Sequence, residues 1–211
     1  MSELFSVREA AAIAEVSPDA VRMALEKKSI KPSSRRKAGK SIRYEFSVSD
    51  LLLLKLFTEF PFPLAKSDKT ALKDLLVHGA TERKNWRAEG ADLVLTSGGM
   101  LFIVQYKTMR TQLAHNVAAF HWGKRRIISV PKVLSGEPVF RGTRIPLEQV
   151  AGLFRKGISL QEIAEDFPAL SARDLAYARV YSRMGAAPGR PVKSIQLRKM
   201  ARRDQKNITD Q

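Results

Sequence analysis

The 211-residue chain contains no cysteine, three histidines and two tryptophans. The absence of thiols excludes disulfide frameworks and cysteine-ligated zinc fingers, and it is consistent with a cytoplasmic setting. His115 and His121 are not one helical turn apart, and no carboxylate pattern completes a set with them. They read as solvated or packed side chains, so no metal, cofactor or catalytic residue is expected. No apolar run is long enough to span a membrane, and residues 1–20 carry acids and lack a signal-peptide core. A P-loop is also missing; Gly98-Gly99 alone does not make a phosphate cradle. Acids are scarce relative to bases: 21 against 37, a formal net charge of +16. That excess points to a polyanionic partner, nucleic acid first. Hydrophobic residues make up 44% of the chain, enough to build true cores.

The sequence divides into four segments: residues 1–58, 64–125, 126–185 and 186–211. The fold class expected is α+β, mostly helical. Phe60-Pro61-Phe62-Pro63 opposes a continuing helix and marks the first break. In the first segment Ser6 and Glu9 form a capping box for a helix ending near Glu15. Val16 fills a turn, and Ser17 caps a second helix with Pro18 at its first position. Ala11, Val16, Val21 and Leu25 have the spacing of residues buried between two crossing helices, as in a helix-turn-helix. Residues 27–43 then carry Lys27, Lys28, Lys31, Arg35, Arg36, Lys37, Lys40 and Arg43 with no acid. Residues 41–46 alternate as a strand, Ala38-Gly39 suits a hairpin turn, and Ser49-Asp50 opens an apolar helix.

Helix, turn, helix, basic hairpin, helix is the order of a winged helix-turn-helix. With Ile42-Arg43-Tyr44 and the helix opened by Asp50, this segment resembles the DNA-binding domain of the MerR family. The resemblance implies that Arg22 and neighbouring exposed positions of the second helix face the major groove, and Ser17 at the start of that helix joins the DNA-binding set. It assigns Arg36, Lys40 and Arg43 to flanking phosphates, and Lys27 and Arg35 complete the expected DNA-binding set. Base-edge contacts set sequence preference and phosphate contacts set affinity and register.

The middle segment reads as an amphipathic helix at 67–77, strands at 92–96 and 100–106 across Ser97-Gly98-Gly99, and a helix at 108–120. It is expected to space or dimerise its neighbours. Asp92 with Gln105-Tyr106-Lys107 at the end of the next strand resembles the acid and lysine arrangement of restriction-endonuclease-like nucleases. That resemblance implies a divalent ion at the acid, and it is the basis of a third reading, a metal-dependent nuclease.

The third segment has strong punctuation. A strand is expected at 127–130. Pro146 suits the first position of a helix stopped by Gly157. Ser159 with Glu162 boxes a second helix that ends near Pro168, and Ser171 with Asp174 boxes a third closed by Gly185. Leu147, Val150, Ala151, Phe154, Leu160, Ile163, Ala164, Phe167, Leu170 and Leu175 are expected to form one core around three helices in a helix-turn-helix-like unit. Arg173, Tyr177 and Arg183 of the third helix are candidates for DNA contact or for a dimer face. With the run Gly136-Glu137-Pro138-Val139-Phe140-Arg141-Gly142-Thr143-Arg144-Ile145-Pro146, this unit resembles the bacterial domain-of-unknown-function family four-three-three. Members look like antitoxins of type II toxin–antitoxin pairs, encoded beside PIN-like ribonucleases. A member with a MerR-like N-terminus looks like a VapB-type antitoxin.

The tail begins Gly-Ala-Ala-Pro-Gly-Arg-Pro and carries Arg190, Lys193, Arg198, Lys199, Arg202 and Arg203. Such a composition is expected to be flexible when free. The resemblance implies that these cations bind the toxin, whose metal site gathers carboxylates. The reading is therefore an antitoxin, not an enzyme. It would dimerise or join a larger toxin–antitoxin assembly, bind operator DNA and inhibit a PIN-like ribonuclease. The alternative is a MerR-like regulator without a toxin.

Overall fold

Serine caps decide where most of the helices begin. The computed structural model describes residues 3–39, 41–58, 60, 62–79, 81–129 and 136–185, and over these the chain is α+β with eight helices and nine short strands. Helix α1 (Val7–Ala14) starts from Ser6, whose Oγ accepts the Glu9 N–H while the Glu9 carboxylate accepts the Ser6 N–H. It stops at Glu15, which takes a left-handed φ of 61°. Ser17 caps α2 (Pro18–Glu26) through the Ala20 N–H. Strands β2 (Ser34–Ala38) and β3 (Ser41–Phe46) form a hairpin, and β1 (Phe5–Ser6) pairs with the far side of β3. The next helix, α3 (Val48–Thr58), opens earlier than Ser49-Asp50 suggests. Ser47 is the cap: its N–H donates to Asp50 Oδ2 at 2.9 Å, and its Oγ accepts from the Asp50 N–H.

In the middle, α4 (Lys66–His78) precedes a four-stranded antiparallel meander: β4 (Glu82–Arg83), β5 (Trp86–Glu89), β6 (Asp92–Ser97) and β7 (Met100–Val104). The sequence shows only the last two strands, because β4 and β5 are short and charged. Trp86 anchors β5 to α4; it is fully buried and donates Nε1–H to the Asp68 carbonyl at 2.9 Å. Helix α5 (Tyr106–Arg126) outruns the expected 108–120 at both ends. Beyond it, β8 (Ile127–Ser129) pairs antiparallel with β9 (Pro138–Phe140), followed by α6 (Leu147–Arg155), α7 (Leu160–Asp166) and α8 (Ala172–Arg183). Pro146 caps α6 from outside, one residue before the position expected for it. The serine boxes of α7 and α8 form as expected, with both reciprocal hydrogen bonds.

Two cores result. The smaller joins Leu56, Leu72, Leu75, Trp86, Leu93 and Leu95 under the meander. The larger draws on three of the sequence segments at once: Phe5, Ile13 and Leu54, then Leu113 and Phe120 of α5, then Leu147, Ile163, Leu175 and Tyr177. Helix α5 is the shared wall, packing against α1, α3 and α8. Two residues of the expected third-segment core lie outside it. Leu160 is 48% exposed and Ala164 is exposed, because the single buried face of the seven-residue α7 is taken by Ile163. No helix of the described residues is long and apolar enough to cross a membrane.

Candidate nucleic-acid interface

Strand alternation sorts the basic run onto two faces. Successive residues of a strand point to opposite sides of a sheet. In the β2–β3 hairpin Arg35 stands opposite Tyr44 and Lys37 opposite Ile42, while Arg36 stands opposite Arg43. Arg35 and Tyr44 face α2. There they line a cleft with Arg22 and Glu26 of α2 and with Lys28 and Lys31 of the following loop. Arg36 and Arg43 share the other face. Like charges directly opposite oppose pairing, and Glu45 offsets them, 3.3 Å from Arg36 Nε. The expected DNA-binding set is thus split between two sides of one hairpin. Lys40 lies outside the described residues, as do Arg190, Lys193, Arg198, Lys199, Arg202 and Arg203.

The outward face of α2 is mixed in charge. Arg22 is exposed and pairs with Asp19 at 2.6 Å, and Met23 and Glu26 are exposed beside it. This face offers groups that suit base edges: a guanidinium for guanine, carboxylates for cytosine amino groups, an apolar tip for a thymine methyl. The Ser17 hydroxyl is occupied by its capping bond, and Lys27 is the C-terminal cap of α2.

Two further cations reach this region from α4. Lys73 Nζ donates to the Ser29 carbonyl at 2.7 Å and Lys69 Nζ to the Ser29 hydroxyl at 3.1 Å. Burial, with the nearby charges of Lys27 and Lys73, holds Lys69 below the ordinary lysine value. The end of α2 is therefore a site of concentrated positive charge. The sequence conceals the α4 contribution, because Lys69 and Lys73 are distant in the chain and sit on an ordinary amphipathic helix.

The turn between α1 and α2 is tied to the rest of the protein through Glu15. Its carboxylate binds Lys55 Nζ of α3 at 2.8 Å, Arg183 of α8 and Gln112 of α5. Burial pushes this carboxyl up, but the Lys55 hydrogen bond, the charges of Arg183 and Lys55, and Asn116 together hold it below its ordinary value. A left-handed conformation costs a non-glycine residue about 1–2 kcal/mol, which these contacts offset. Arg8 of α1 donates to the carbonyls of Met184 and Gly185, so the end of α8 is fastened to the N-terminal unit.

The candidate contact residues of α8 are mostly used internally. Tyr177 is buried against Phe120, Arg183 pairs with Glu15, and Arg173 stacks over Trp122. Asp174 is fully buried. It accepts from Trp122 Nε1 at 3.0 Å, Arg126 Nε at 2.9 Å and the Ser171 N–H at 2.9 Å. Burial again raises the carboxyl, and these donors more than reverse it. In the nuclease-like pattern, Asp92 opens β6 as expected, but Lys107 sits in the first turn of α5 and not on a strand. The described residues contain no group of three or more histidines and carboxylates able to hold a metal ion.

Parts of this chain resemble known proteins. A 64-residue stretch is 36% identical to the uncharacterized protein y4eO of Sinorhizobium fredii. It covers 30% of this chain and 29% of that relative, so the chain spans under a third of the relative's length. No solved structure matches. Residues 127–182, the stretch from β8 into α8, match the model of the family described as Protein of unknown function (DUF433).

Proposed function

We propose that this protein is a DNA-binding antitoxin that represses its own operon and inhibits a PIN-like ribonuclease. The observation that carries the DNA half is the convergence of Arg22, Lys28, Lys31 and Arg35 on one cleft between α2 and the hairpin. In this reading residues 1–58 are a winged helix-turn-helix, α2 enters the major groove, and the hairpin lies on the flanking strand. The antitoxin half rests on the resemblance of residues 127–182 to a family whose members look like partners of such nucleases. The basic tail suits an acidic metal site, where an arginine would take the place of the ion on the carboxylates.

Binding is measured with upstream DNA of the protein's own gene across a salt series. Charge reversal at Arg35, or at Arg36 with Arg43, is expected to weaken binding to every sequence. It should also flatten the salt dependence by about one unit of slope for each phosphate that is no longer neutralised. Arg22→Ala is expected instead to lower discrimination between operator and random DNA, by about 1–3 kcal/mol for a bidentate base contact. Undiminished operator binding by a chain lacking residues 1–58 would overturn the assignment.

The toxin half is tested by truncation after Gly185. The shortened chain keeps the Arg8 contacts to Met184 and Gly185 and is expected to fold and bind DNA. It should no longer inhibit the nuclease encoded beside it. Full inhibition by the truncated chain would move the inhibitory surface into the folded part.

One observation favours the second reading, a regulator that answers to a small ligand. A cleft of about 760 Å³ lies between α3, α4 and α5, with Leu52, Leu76 and Tyr106 on its walls, Lys31, Lys73 and Arg110 around them, and one acid, Asp50, whose carboxylate is taken by Ser33 and Ser47. It would suit an anion with an apolar body. Operator affinity that responds to such a ligand, in a chain with no nuclease gene beside it, would select this reading.

A further inference from the structure

Three large exposed apolar side chains lie in one strand. Met100, Leu101 and Ile103 of β7 are 61%, 65% and 70% exposed. Strand β7 is an edge of the meander, ordered β4-β5-β6-β7. Soluble proteins usually protect such an edge with a lysine, a proline or a bulge. Met-Leu-Phe-Ile-Val has none of these, and residues 93–106 carry no charge at all.

The hydrogen-bonding direction of the strand follows from its neighbours. The Thr96 N–H donates to the Asn85 carbonyl at 2.9 Å, so Thr96 turns its backbone groups toward β5. The next residue, Leu95, turns its groups the other way, toward its partner Phe102 in β7. Alternation then sends the N–H and C=O groups of Leu101 and Ile103 out of the sheet edge. The same two residues place their side chains together on the face opposite the Trp86 core.

We propose that β7 pairs with β7 of a second copy of this chain, antiparallel about a two-fold axis at Phe102. The two meanders join into one continuous sheet. In this register Leu101 stands opposite Ile103 of the second copy, and each outward N–H and C=O finds its counterpart. The strand is self-complementary, as a two-fold interface requires. Charge does not draw two copies together, but it decides where they can meet. Two chains of +16 repel at long range, and contact is least opposed along a segment without charge. A partner recruited by opposite charge would find its match at the α2–hairpin cleft, not here. The contact is small, so association should be weak and should strengthen as salt screens the repulsion. The inference stands on the sheet edge and does not require the DNA-binding reading; it is tested without DNA.

The chain has no cysteine, so introduced thiols are the only ones present. Directly opposed, hydrogen-bonded strand residues have Cα atoms about 5.5 Å apart, within disulfide range. Full-length Leu101→Cys and Ile103→Cys proteins, distinguished by tags of different size, are mixed under mild oxidation. The mixture is expected to give a cross-linked heterodimer. Either variant alone places its thiols diagonally, beyond the roughly 7 Å Cα limit, and should cross-link poorly. Ile103→Lys is expected to sediment as a monomer where the wild-type chain is a dimer, with unchanged circular dichroism and with the wild-type melting temperature at a dilution where both chains are monomeric. Three results would each overturn the proposal: a wild-type chain that stays monomeric at high concentration and high salt, single variants that cross-link as well as the mixture, or an Ile103→Lys chain that dimerises normally.

Discussion

Asp174→Ala is expected to destabilise the folded protein by about 3–5 kcal/mol, toward the lower end because Arg126 keeps some contact with water. The side chain is fully buried and gathers Trp122, Arg126 and Ser171, so its loss leaves donors of three residues unpaired and removes the carboxylate half of the α8 capping box. Trp122 and Arg126 belong to α5, so the cluster also fastens α8 to the shared wall. Denaturant titration of three variants tests the account. Asp174→Asn keeps a capping oxygen but leaves the Arg126 charge without its partner. Arg126→Leu leaves the carboxylate buried without its cation. The double variant removes both charges and should lose less than the sum of the two single losses. Simple additivity would show that the pair is not coupled. The pH dependence has a definite sign. The folded-state value of Asp174 lies below its ordinary value. Its stabilising contribution is therefore present at neutral pH and is lost as pH falls through the folded-state value. Asp174→Asn should remove that component of acid sensitivity. Glu15, depressed in the same direction, supplies a separate component that should survive the substitution.

Gly123→Ala is expected to lower the melting temperature although alanine is the better helix former. A methyl at Gly123 in α5 would overlap the ring of Tyr177 in α8. That ring is held by Phe120 and Tyr181, at centroid distances of 6.4 and 6.1 Å, and cannot withdraw freely. Burial, then the charges of Tyr181 and Glu9, push its phenol up to about 12, as expected for a side chain sealed between helices. Glycine-to-alanine in a helix gains about 1 kcal/mol, whereas overpacking costs about 1–3 kcal/mol or more. With an immovable ring the clash should win, for a net loss of about 2 kcal/mol, or roughly 4–8 °C in a chain of this size. The sign should reverse in a Tyr177→Ala background, where the obstacle is gone and only the helix propensity remains. An increase in melting temperature from Gly123→Ala in the wild-type chain would refute the close approach of α5 and α8.

Local chemistry was legible in the sequence. The boxes Ser6–Glu9, Ser159–Glu162 and Ser171–Asp174 form as their spacing predicts, because a cap needs only residues three apart. Gly157 and Gly185 stop helices for an equally local reason, each taking a positive φ at a helix end. The resemblance of residues 127–182 was also legible, since that unit carries its motif in one uninterrupted run. The extent of α5 was not, because its flanking turns depend on α1, α3 and α8, which are distant in the chain. Nor were β4 and β5, whose charged, four-residue-or-shorter strands are held by Trp86 beneath them.

The candidate site shows the same division. By itself the sequence determined that the chain is strongly basic and that residues 27–43 concentrate cations after a capped helix pair. Charge and capping are properties of residues and their near neighbours, so no fold is needed to read them. Only the tertiary structure decided which cations act together. The hairpin register turned Arg35 toward α2 and placed Arg36 with Arg43 on the opposite face. Packing of α4 brought Lys69 and Lys73 to the end of α2. Burial of α8 committed Tyr177 and Asp174 to the interior, and Arg183 to its pair with Glu15. The order of strands left β7 at a sheet edge among the described residues. Each of these depends on contacts between residues far apart in the chain, and such contacts have no signature in local spacing.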